Sequence, residues 1–379
     1  MSDSLGPNAA LIGQPGGARR LQTPALVLDL DAFERNIGRM AHWTREADLR
    51  LRPHAKTHKC AEIAFRQIEH GAVGACCATL REVESLTEAG VPGLLLTSAQ
   101  TPLKTPRIGR LLRQGADLSV VADHPDTVDA LGDAARAAGA VLPVLVDLDT
   151  GLGRTGLTNA EDALALARRI AACDALEYAG VQAYAGHVQH INELASRGRE
   201  VEACTERLQA VNAVLREANL PPALISGGGT GSHRLDQEFG VLNEIQAGSY
   251  IFMDGQYHAV TIDSDGGSAF ETALTVQTSV INVNHPGYAV TDAGLKSFAL
   301  DGDLPQIAEG APDGAEYRYK GDEHGAVHFA EPGQALPLGA TLRCLTPHCD
   351  PTVNLFDVYH CLRGDVLEAI WTIDARGNP

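Results

Sequence analysis

The chain has 379 residues, of which 44% are hydrophobic, so it can bury a large core and fits one barrel plus a second domain. Its 30 basic and 48 acidic residues give a formal net charge of −18, which argues against nucleic acid or an anionic membrane as a partner. No signal-peptide pattern, no apolar run near the roughly 20 residues that span a bilayer, and no CxxC pair is visible. We therefore expect a cytoplasmic protein whose eight cysteines are ordinary buried thiols.

The first predicted elements are a strand and a helix. Residues 1–20 are rich in Gly, Pro and Ala and are predicted to form a loop, whereas the run 23–30 (TPALVLDL) predicts a strand. Asp31 followed by Glu34 resembles a capping box, and the apolar residues that follow recur at helical spacing.

Eight short apolar runs then alternate with segments of helical periodicity. The predicted strands lie near 50–56, 74–79, 93–98, 118–122, 142–148, 180–186, 223–228 and 244–250. Strand–helix alternation repeated eight times is typical of a closed parallel barrel, the (β/α)8 or TIM barrel. A doubly wound open sheet is the competing α/β fold. The count of eight favours the barrel, as do the polar residues that alternate with apolar ones near the strand ends.

A smaller, mainly β domain is predicted after about residue 256, where helical periodicity fades. The runs that indicate strands between Gly- and Pro-marked turns are 273–283, 288–292, 316–319, 341–345 and 366–373. We therefore expect a barrel over 28–255 and a β domain over 256–379, which the early strand at 21–27 joins.

The run 52–58 (RPHAKTH) closes the first barrel strand. In an extended chain Arg52, His54 and Lys56 share one face. Basic groups that point into a barrel make a poor core but a suitable site for an anionic cofactor. A lysine placed there can form a covalent bond with a carbonyl group. Lys59 is a rival lysine that lies past the strand end.

Two glycine-rich stretches, 226–232 (SGGGTGS) and 247–250 (AGSY), follow the seventh and eighth strands. Backbone N–H groups in such loops can form an anion nest, and these barrels commonly bind phosphate there. The alternative is that the glycines only make tight turns. The first stretch is neither a Walker A loop nor a GxGxxG fingerprint. A lysine and a phosphate nest on one barrel suggest pyridoxal phosphate.

The chain resembles the D-threonine aldolase and D-serine dehydratase group, which are fold-type III pyridoxal-phosphate enzymes related to alanine racemase. The motifs that carry the resemblance are RPHAKTHK (52–59), DLDTGLGRTG (147–156), QAYAGHVQH (182–190), SGGGTGS (226–232), AGSYIFMDG (247–255), DAGLKS (292–297), DEHG (322–325) and HCDPTVN (348–354). They cover nearly the whole chain after residue 20 in the order of the family. The resemblance implies a lyase that acts as a homodimer.

By this resemblance, Lys56 binds the cofactor covalently. Arg154 looks like the arginine that contacts the phenolic oxygen of the cofactor, although it could be an exposed loop residue. Tyr184 looks like the residue packed near the ring, although it could be a barrel-core tyrosine. The residues that look like the phosphate cradle are Gly229, Thr230, Gly248 and Ser249. Gln246 lies near the point where racemases have an arginine beside the pyridine nitrogen, which argues against racemase chemistry.

The tripeptide His348-Cys349-Asp350 resembles the metal-binding motif of the family. In an extended chain His348 and Asp350 point to one side and Cys349 to the other. A His-x-Asp pair supplies nitrogen and oxygen ligands, although such a tripeptide alone is more often structural. The dehydratase branch has cysteine at the third position, which suits zinc. Aspartate suits manganese or magnesium, so the chain resembles the aldolase branch.

His190 matches the histidine that the aldolases carry close to the metal and the substrate hydroxyl. Its ordinary pKa of about 6.5 suits proton transfer near neutral pH. It could also be an exposed loop histidine. His187 is a nearby candidate that departs from the family pattern, and Asp322 and His324 have no assigned role.

The resemblance implies retro-aldol cleavage of 3-hydroxy-D-amino acids, such as D-threonine or D-phenylserine, to glycine and an aldehyde. The enzymatic alternatives are a 3-hydroxy-D-aspartate aldolase and a D-serine- or D-threonine-type dehydratase. The non-enzymatic alternative is a pyridoxal-phosphate carrier. Such carriers resemble the barrel alone, so the second domain with its metal-type pair argues against that reading.

Overall fold

The computed structural model describes residues 5–262 and 270–377. Two 3-10 turns, Pro7–Leu11 and Gly17–Arg20, lie in the segment predicted as a loop, and they lead into strand β1 (Ala25–Asp29) and helix α1 (Leu30–Glu46).

The capping box predicted at the start of α1 is wrong by two residues. Asp29 caps the helix instead, because its Oδ1 accepts a hydrogen bond from the Ala32 N–H at 3.0 Å. The carboxylates of Asp31 and Glu34 face outward to the guanidinium of Arg363. Those two acidic residues therefore join the helix to Arg363 of the second sheet and do not cap it.

The first sheet is an eight-stranded parallel barrel. Its strands are β2 (Arg50–Leu51), β3 (Ala75–Cys77), β4 (Leu94–Leu96), β5 (Leu118–Ala122), β6 (Leu142–Asp147), β7 (Leu176–Ala183), β8 (Leu224–Gly227) and β9 (Glu244–Ile245). They pair in the order β2-β9-β8-β7-β6-β5-β4-β3. A parallel bridge between His54 and Cys76 joins the two ends of this order, so the barrel is closed. The (β/α)8 prediction is confirmed, and the open doubly wound sheet is wrong.

Helices alternate with the barrel strands and cover the outside. They are α2 (Ala61–Glu69), α3 (Leu80–Glu88), α4 (Thr105–Arg113), α5 (Pro125–Ala138), α6 (Ala160–Ala171), α7 (Leu194–Glu217) and α8 (His233–Phe239). Helix α3 illustrates why they form. Thr79 caps it by accepting the Glu82 N–H, and Leu80, Val83 and Leu86 lie one turn apart and are buried. Each such apolar side chain contributes roughly 1.5–3 kcal/mol when it is removed from water.

The second sheet forms a mainly β domain. Its further strands are β10 (Leu274–Asn282), β11 (Tyr288–Thr291), β12 (Gln306–Glu309), β13 (Glu316–Tyr319), β14 (Gly325–His328), β15 (Thr341–Leu345), β16 (Val358–Arg363) and β17 (Val366–Thr372). The order is β13-β14-β11-β10-β1-β16-β17, with β15 on β10 and β12 on β15. Strand β1 is antiparallel to β10 and parallel to β16. The sequence pattern did not indicate β12, β14 or β16.

Two short helices, α9 (Gly255–His258) and α10 (Cys349–Val353), lie where the barrel meets this sheet. One apolar cluster crosses the junction, and it includes Phe252 after β9 and Tyr359 of β16, whose ring centroids are 5.7 Å apart. Because both rings are fully buried, the end of the barrel is held firmly against the β domain.

All eight cysteines are free thiols, and seven of them are buried as the sequence predicts. Cys173 is partly exposed and departs from that prediction. No helix in residues 5–262 or 270–377 combines the length and the apolar composition needed to cross a membrane.

Candidate active site

Lys56 lies on a 3-10 turn (Ala55–Thr57) at the carboxyl end of the barrel. The strand predicted to reach residue 56 ends earlier, because the Nδ1 atom of His54 accepts the Lys56 backbone N–H at 3.3 Å and starts the turn. The Nζ atom of Lys56 donates to Oδ2 of Asp350 at 2.6 Å. The charge of that carboxylate raises the pKa of Lys56 despite burial. The lysine is therefore joined to α10 of the second domain.

The other two basic residues of this run do not form an anion site. The Nε and Nη2 atoms of Arg52 donate to the Glu244 carboxylate at 3.0 and 3.1 Å, and Glu244 is fully buried. The Nε2 atom of His54 lies 3.1 Å from Oγ1 of Thr97, and burial lowers the pKa of His54 well below its ordinary value. Arg52 is thus neutralised and His54 is uncharged. The prediction that all three basic groups face an anion site is wrong for Arg52, whereas Lys56 and His54 both line a cavity.

A cavity of about 340 Å³ opens beside Lys56. Arg154 and Tyr184 both line it, and the guanidinium carbon of Arg154 lies 5.6 Å from the centroid of the Tyr184 ring. Tyr184 follows β7, which runs over 176–183 and not over 180–186 as predicted. At the cavity floor, Nε2 of Gln246 donates to Oε1 of Gln182 at 3.2 Å. Uncharged amides therefore form this part of the cavity lining.

The two glycine-rich loops lie against each other and against the 3-10 turn that carries Lys56, here called the lysine turn. The Tyr250 N–H donates to Oγ1 of the fully buried Thr230 at 3.0 Å, which joins the loops after β8 and β9. A Cβ on Gly248 would lie 2.6 Å from Oγ1 of Thr57. Glycine is therefore required there for the close approach to the turn that carries Lys56. Ser249 follows and is buried.

His348 and Asp350 stand at the start of α10. His348 is extended and precedes the helix, whereas Asp350 lies in its first turn, so the predicted extended tripeptide with alternating sides is wrong. The fully buried Cys349 has its Sγ 3.4 Å from Oδ1 of Asp350. The Nδ1 atom of His348 lies 2.7 Å from Oδ2 of Asp301. With Nδ1–H donating to Asp301, the Nε2 lone pair of His348 is free to bind a ligand.

His190 lies near this pair. Its ring centroid is 4.6 Å from that of Tyr257 and 6.4 Å from that of His348. Burial lowers the pKa of His190, and the Asp254 carboxylate opposes that shift. The carboxylate of Asp254 also accepts the Tyr257 N–H at 3.0 Å and the Cys349 N–H at 2.8 Å. The fully buried Asp254 therefore holds together the two segments that carry the ring neighbours of His190.

The carboxylates of Asp254 and Asp301, which support the residues around His190 and His348, were not predicted from the sequence. Asp254 lies inside the motif 247–255, so its position could have suggested a role. Asp301 stands in an exposed loop outside every recognised motif, and only the fold brings it to His348.

The remaining candidates lie elsewhere or have structural partners. Lys59 donates to Oε1 of Glu82 at 3.1 Å, on α3. His187 lines the cavity, with its Nε2 3.7 Å from the Sγ of Cys204. Asp322 and His324 are in the exposed turn between β13 and β14, where Asp322 lies 3.9 Å from Nζ of Lys296. Both lysines are thus paired with a carboxylate, but Lys56 also lines the cavity, whereas Lys59 is held against α3.

The residues present fit pyridoxal phosphate and, less completely, a metal. A cavity with a lysine on one wall, next to a turn on which Gly248 packs, suits an aldehyde cofactor such as pyridoxal phosphate. Within the described part of the chain, no three His, Cys, Asp or Glu residues are placed to hold a metal ion together. His348 and Asp350 offer a mixed N/O pair that needs water or substrate to complete the shell. Metal-binding histidines typically donate their second ring N–H to a carboxylate that does not itself bind the metal, and Asp301 is placed to accept from His348 in this way.

Comparisons with known proteins agree with this arrangement. Residues 28–256 match the family model described as alanine racemase, N-terminal domain, and residues 273–362 match the one described as putative serine dehydratase domain. The chain is 42% identical to a D-threonine aldolase from Arthrobacter sp, over 96% of this chain and 95% of that protein. It is 36% identical to a 3-hydroxy-D-aspartate aldolase from Paracoccus denitrificans (strain Pd 1222), over 94% of this chain and 93% of that protein. The crystal structure of a D-threonine aldolase from Filomicrobium marinum matches with a TM-score of 0.90 at 36% identity, over 95% of this chain and 97% of that one.

A closed barrel with a lysine turn, capped by a β domain, is the architecture of the alanine racemase fold, and the match to aldolases over nearly the whole chain makes this protein a lyase. The chain belongs to the alanine racemase-like family that includes the D-threonine aldolases, the 3-hydroxy-D-aspartate aldolases and the D-serine dehydratases. The resemblance seen in the motifs is confirmed. The carrier alternative is wrong, because the relatives match over nearly their whole length and are lyases.

Proposed function

We propose that this chain cleaves 3-hydroxy-D-amino acids of the D-threonine type to glycine and an aldehyde, using pyridoxal phosphate and a divalent metal. The observation that carries the proposal is the 2.6 Å contact between Nζ of Lys56 and Oδ2 of Asp350. It brings the lysine suited to the cofactor next to the His–Asp pair suited to the metal. A substrate whose amine and 3-hydroxyl lie on adjacent carbons can reach both at once.

Lys56 would hold the cofactor, with Arg154 and Tyr184 beside its ring and the glycine loops at its phosphate. The chemistry that pyridoxal phosphate would supply there is delocalisation of the negative charge that develops at Cα when the bond to Cβ breaks. The neutral Gln246 at the cavity floor supplies no cation to the ring, which agrees with a lyase more than with a racemase.

His348 and Asp350 would hold the metal, which would polarise the 3-hydroxyl and make its proton easier to remove. We favour Mn²⁺ or Mg²⁺, because a carboxylate is a harder ligand than the cysteine that suits zinc. His190 accepts the hydroxyl proton, since its lowered pKa leaves the imidazole neutral near pH 7. The Tyr257 ring packed against His190 holds the imidazole in place, and such a positioned base accelerates proton transfer by about 10²–10⁴-fold.

A second cavity, of about 210 Å³, adjoins His190 and supports the choice of substrate. It is partly apolar, with Leu304 and Leu345 in its lining. The described residues that line it include Asp303 and no Lys or Arg. The substituent on Cβ would enter this cavity, and the acidic lining disfavours a second substrate carboxylate. This favours threonine-like or phenylserine-like substrates over 3-hydroxy-D-aspartate. We further propose that the chain works as a homodimer.

The test is to incubate the purified protein with D-threonine, pyridoxal phosphate and MnCl₂, and to measure acetaldehyde against 2-oxobutanoate. Acetaldehyde supports the aldolase, 2-oxobutanoate would show a dehydratase instead, and neither product would refute the D-threonine assignment. Lys56→Ala should abolish the reaction, whereas the matched variant Lys59→Ala should retain it. If Asp350→Ala released acetaldehyde at the unchanged rate, the metal would have no part in the reaction.

A further inference from the structure

Gln189 lies between two parts of the site that are distant in sequence. It is 1% exposed and immediately precedes His190 in the segment after β7. Its side chain reaches the glycine-rich loop after β8, where Oε1 accepts the Gly231 N–H at 2.9 Å and Nε2 donates to Oγ of Ser232 at 2.8 Å. Nε2 also donates to the carbonyl oxygen of Ala185 at 3.2 Å. One buried amide thus contacts both segments.

The glycine-rich loop is shaped around this side chain. A Cβ on Gly229 would lie 2.5 Å from Oε1 of Gln189, and a Cβ on Gly231 would lie 2.1 Å from the main-chain oxygen of Gln189. Neither distance allows a real Cβ atom. These two glycines are therefore required because Gln189 occupies the space that their side chains would need.

A second layer of hydrogen bonds stabilises the contact from behind. Oγ of Ser232 accepts the Gly229 N–H at 3.2 Å and donates to Oδ2 of Asp236 at 2.6 Å. With the bond from Gln189, this hydroxyl makes three hydrogen bonds, so it has one favoured orientation. The loop cannot shift without breaking bonds to both Gln189 and Asp236.

The segment beyond His190 is fixed as well. The guanidinium of the fully buried Arg197 donates to the carbonyl oxygens of Ile191 and Thr261. His190 therefore lies between an anchor at Gln189 and an anchor at Ile191. A displacement on the Gln189 side must move the His190 ring, because the other side is held.

We infer that Gln189 is a positioning residue. It fixes the position of the glycine-rich loop after β8 (residues 226–232, here called the phosphate loop) relative to the His190 ring. This rests on the proposed function. Cofactor affinity and proton transfer then depend on one side chain that touches neither the cofactor carbonyl nor the substrate. The hydrogen bonds of the buried amide hold the two loops in a fixed relative position, although they are distant in sequence.

The first test compares Gln189→Met with Gln277→Met. Both glutamines are buried, and Gln277 donates to the Ala18 carbonyl in the β domain, remote from the lysine turn. For Gln189→Met we expect the Kd for pyridoxal phosphate, measured by absorbance titration, to rise about tenfold, and kcat at saturating cofactor to fall about tenfold. Gln277→Met should change each by less than twofold. If Gln189→Met does not fold, Gln189→Glu replaces it, since a carboxylate still accepts from Gly231 but cannot donate to Ser232.

The second test separates positioning from general support of the fold. In a His190→Gln background, Gln189→Met should still raise the Kd for pyridoxal phosphate but should no longer lower the residual kcat. The inference is overturned if Gln189→Met lowers only the thermal midpoint of the cofactor-free protein. It is also overturned if the kcat loss persists without His190. Should the parent protein release no aldehyde, the proposed function fails, while the cofactor Kd still tests the effect of Gln189 on the phosphate loop.

Discussion

Replacing Asp301 with asparagine should weaken metal binding at His348. The Asp301 carboxylate accepts the Nδ1–H of His348 at 2.7 Å, which orients the ring and makes Nε2 a better ligand. Loss of such an outer contact typically costs 10–100-fold in metal affinity. The side chain of Asp301 is 52% exposed, so water screens its charge, and asparagine can still accept the bond as a neutral group. We therefore expect the metal affinity to fall about tenfold, at the lower end of that range, which corresponds to about 1.4 kcal/mol of binding free energy.

The assay is a titration of the metal-free protein with Mn²⁺, in which the free ion is quantified by electron paramagnetic resonance. Asp303→Asn is the matched control, because it removes the same charge from the same exposed loop two residues away. The Kd should rise for Asp301→Asn and stay within about twofold for Asp303→Asn. An unchanged Kd for Asp301→Asn, or an equal rise for both variants, would refute the role of the His348 contact.

Three further predictions concern the barrel and the loops around Lys56. Arg52→Met should lower the free energy of unfolding in urea by about 3 kcal/mol, because it leaves the buried Glu244 without its main partner. Adding Glu244→Gln should restore most of that loss, and cofactor affinity should stay unchanged throughout. Gly248→Ala should raise the Kd for pyridoxal phosphate at least tenfold, since its Cβ would displace Thr57 and with it the lysine turn, whereas an unchanged Kd would contradict the packing. Burial raises the pKa of Asp236 to about 7 from an ordinary 3.8, so the folded chain binds more protons than the unfolded chain between these values. Stability contributed by that proton is therefore present at low pH and lost as the pH rises from about 4 to 7. The thermal midpoint of Asp236→Asn relative to the parent should consequently be higher at pH 8 than at pH 5, and a constant difference would show that Asp236 does not titrate in this range.

The elements that were predictable from sequence are those whose signal is local. Strand β5 (Leu118–Ala122) and strand β15 (Thr341–Leu345) lie within the predicted bounds, because each is a run of strand-forming residues between turn residues. The alternation of strand and helix also indicated a closed barrel, since that pattern repeats along the chain. Lys56 lies at the cavity to which its continuous motif pointed, and its role as the cofactor lysine stays a prediction.

The partners of side chains were not predictable, because the fold chooses them. Arg52 is neutralised by Glu244, which becomes its neighbour only when β2 pairs with β9 at barrel closure. Asp301 reaches His348 through a loop that carries no recognisable pattern. The extended reading of residues 348–350 failed because α10 begins inside the tripeptide. The roles assigned to Arg154, Tyr184 and His190 stay predictions until variants are assayed.

The position of β1 has a consequence for how the enzyme is made on the ribosome. Val27 pairs with Thr275 on one side and with His360 on the other, so this early strand lacks both neighbours while the barrel segments are synthesised. The barrel strands pair only with one another and can close in that interval. His348 and Asp350 emerge just before β16, which completes the sheet around β1. The lysine turn is therefore synthesised before its acidic partner Asp350, and the contact between Lys56 and Asp350 forms only after all the barrel strands have left the ribosome.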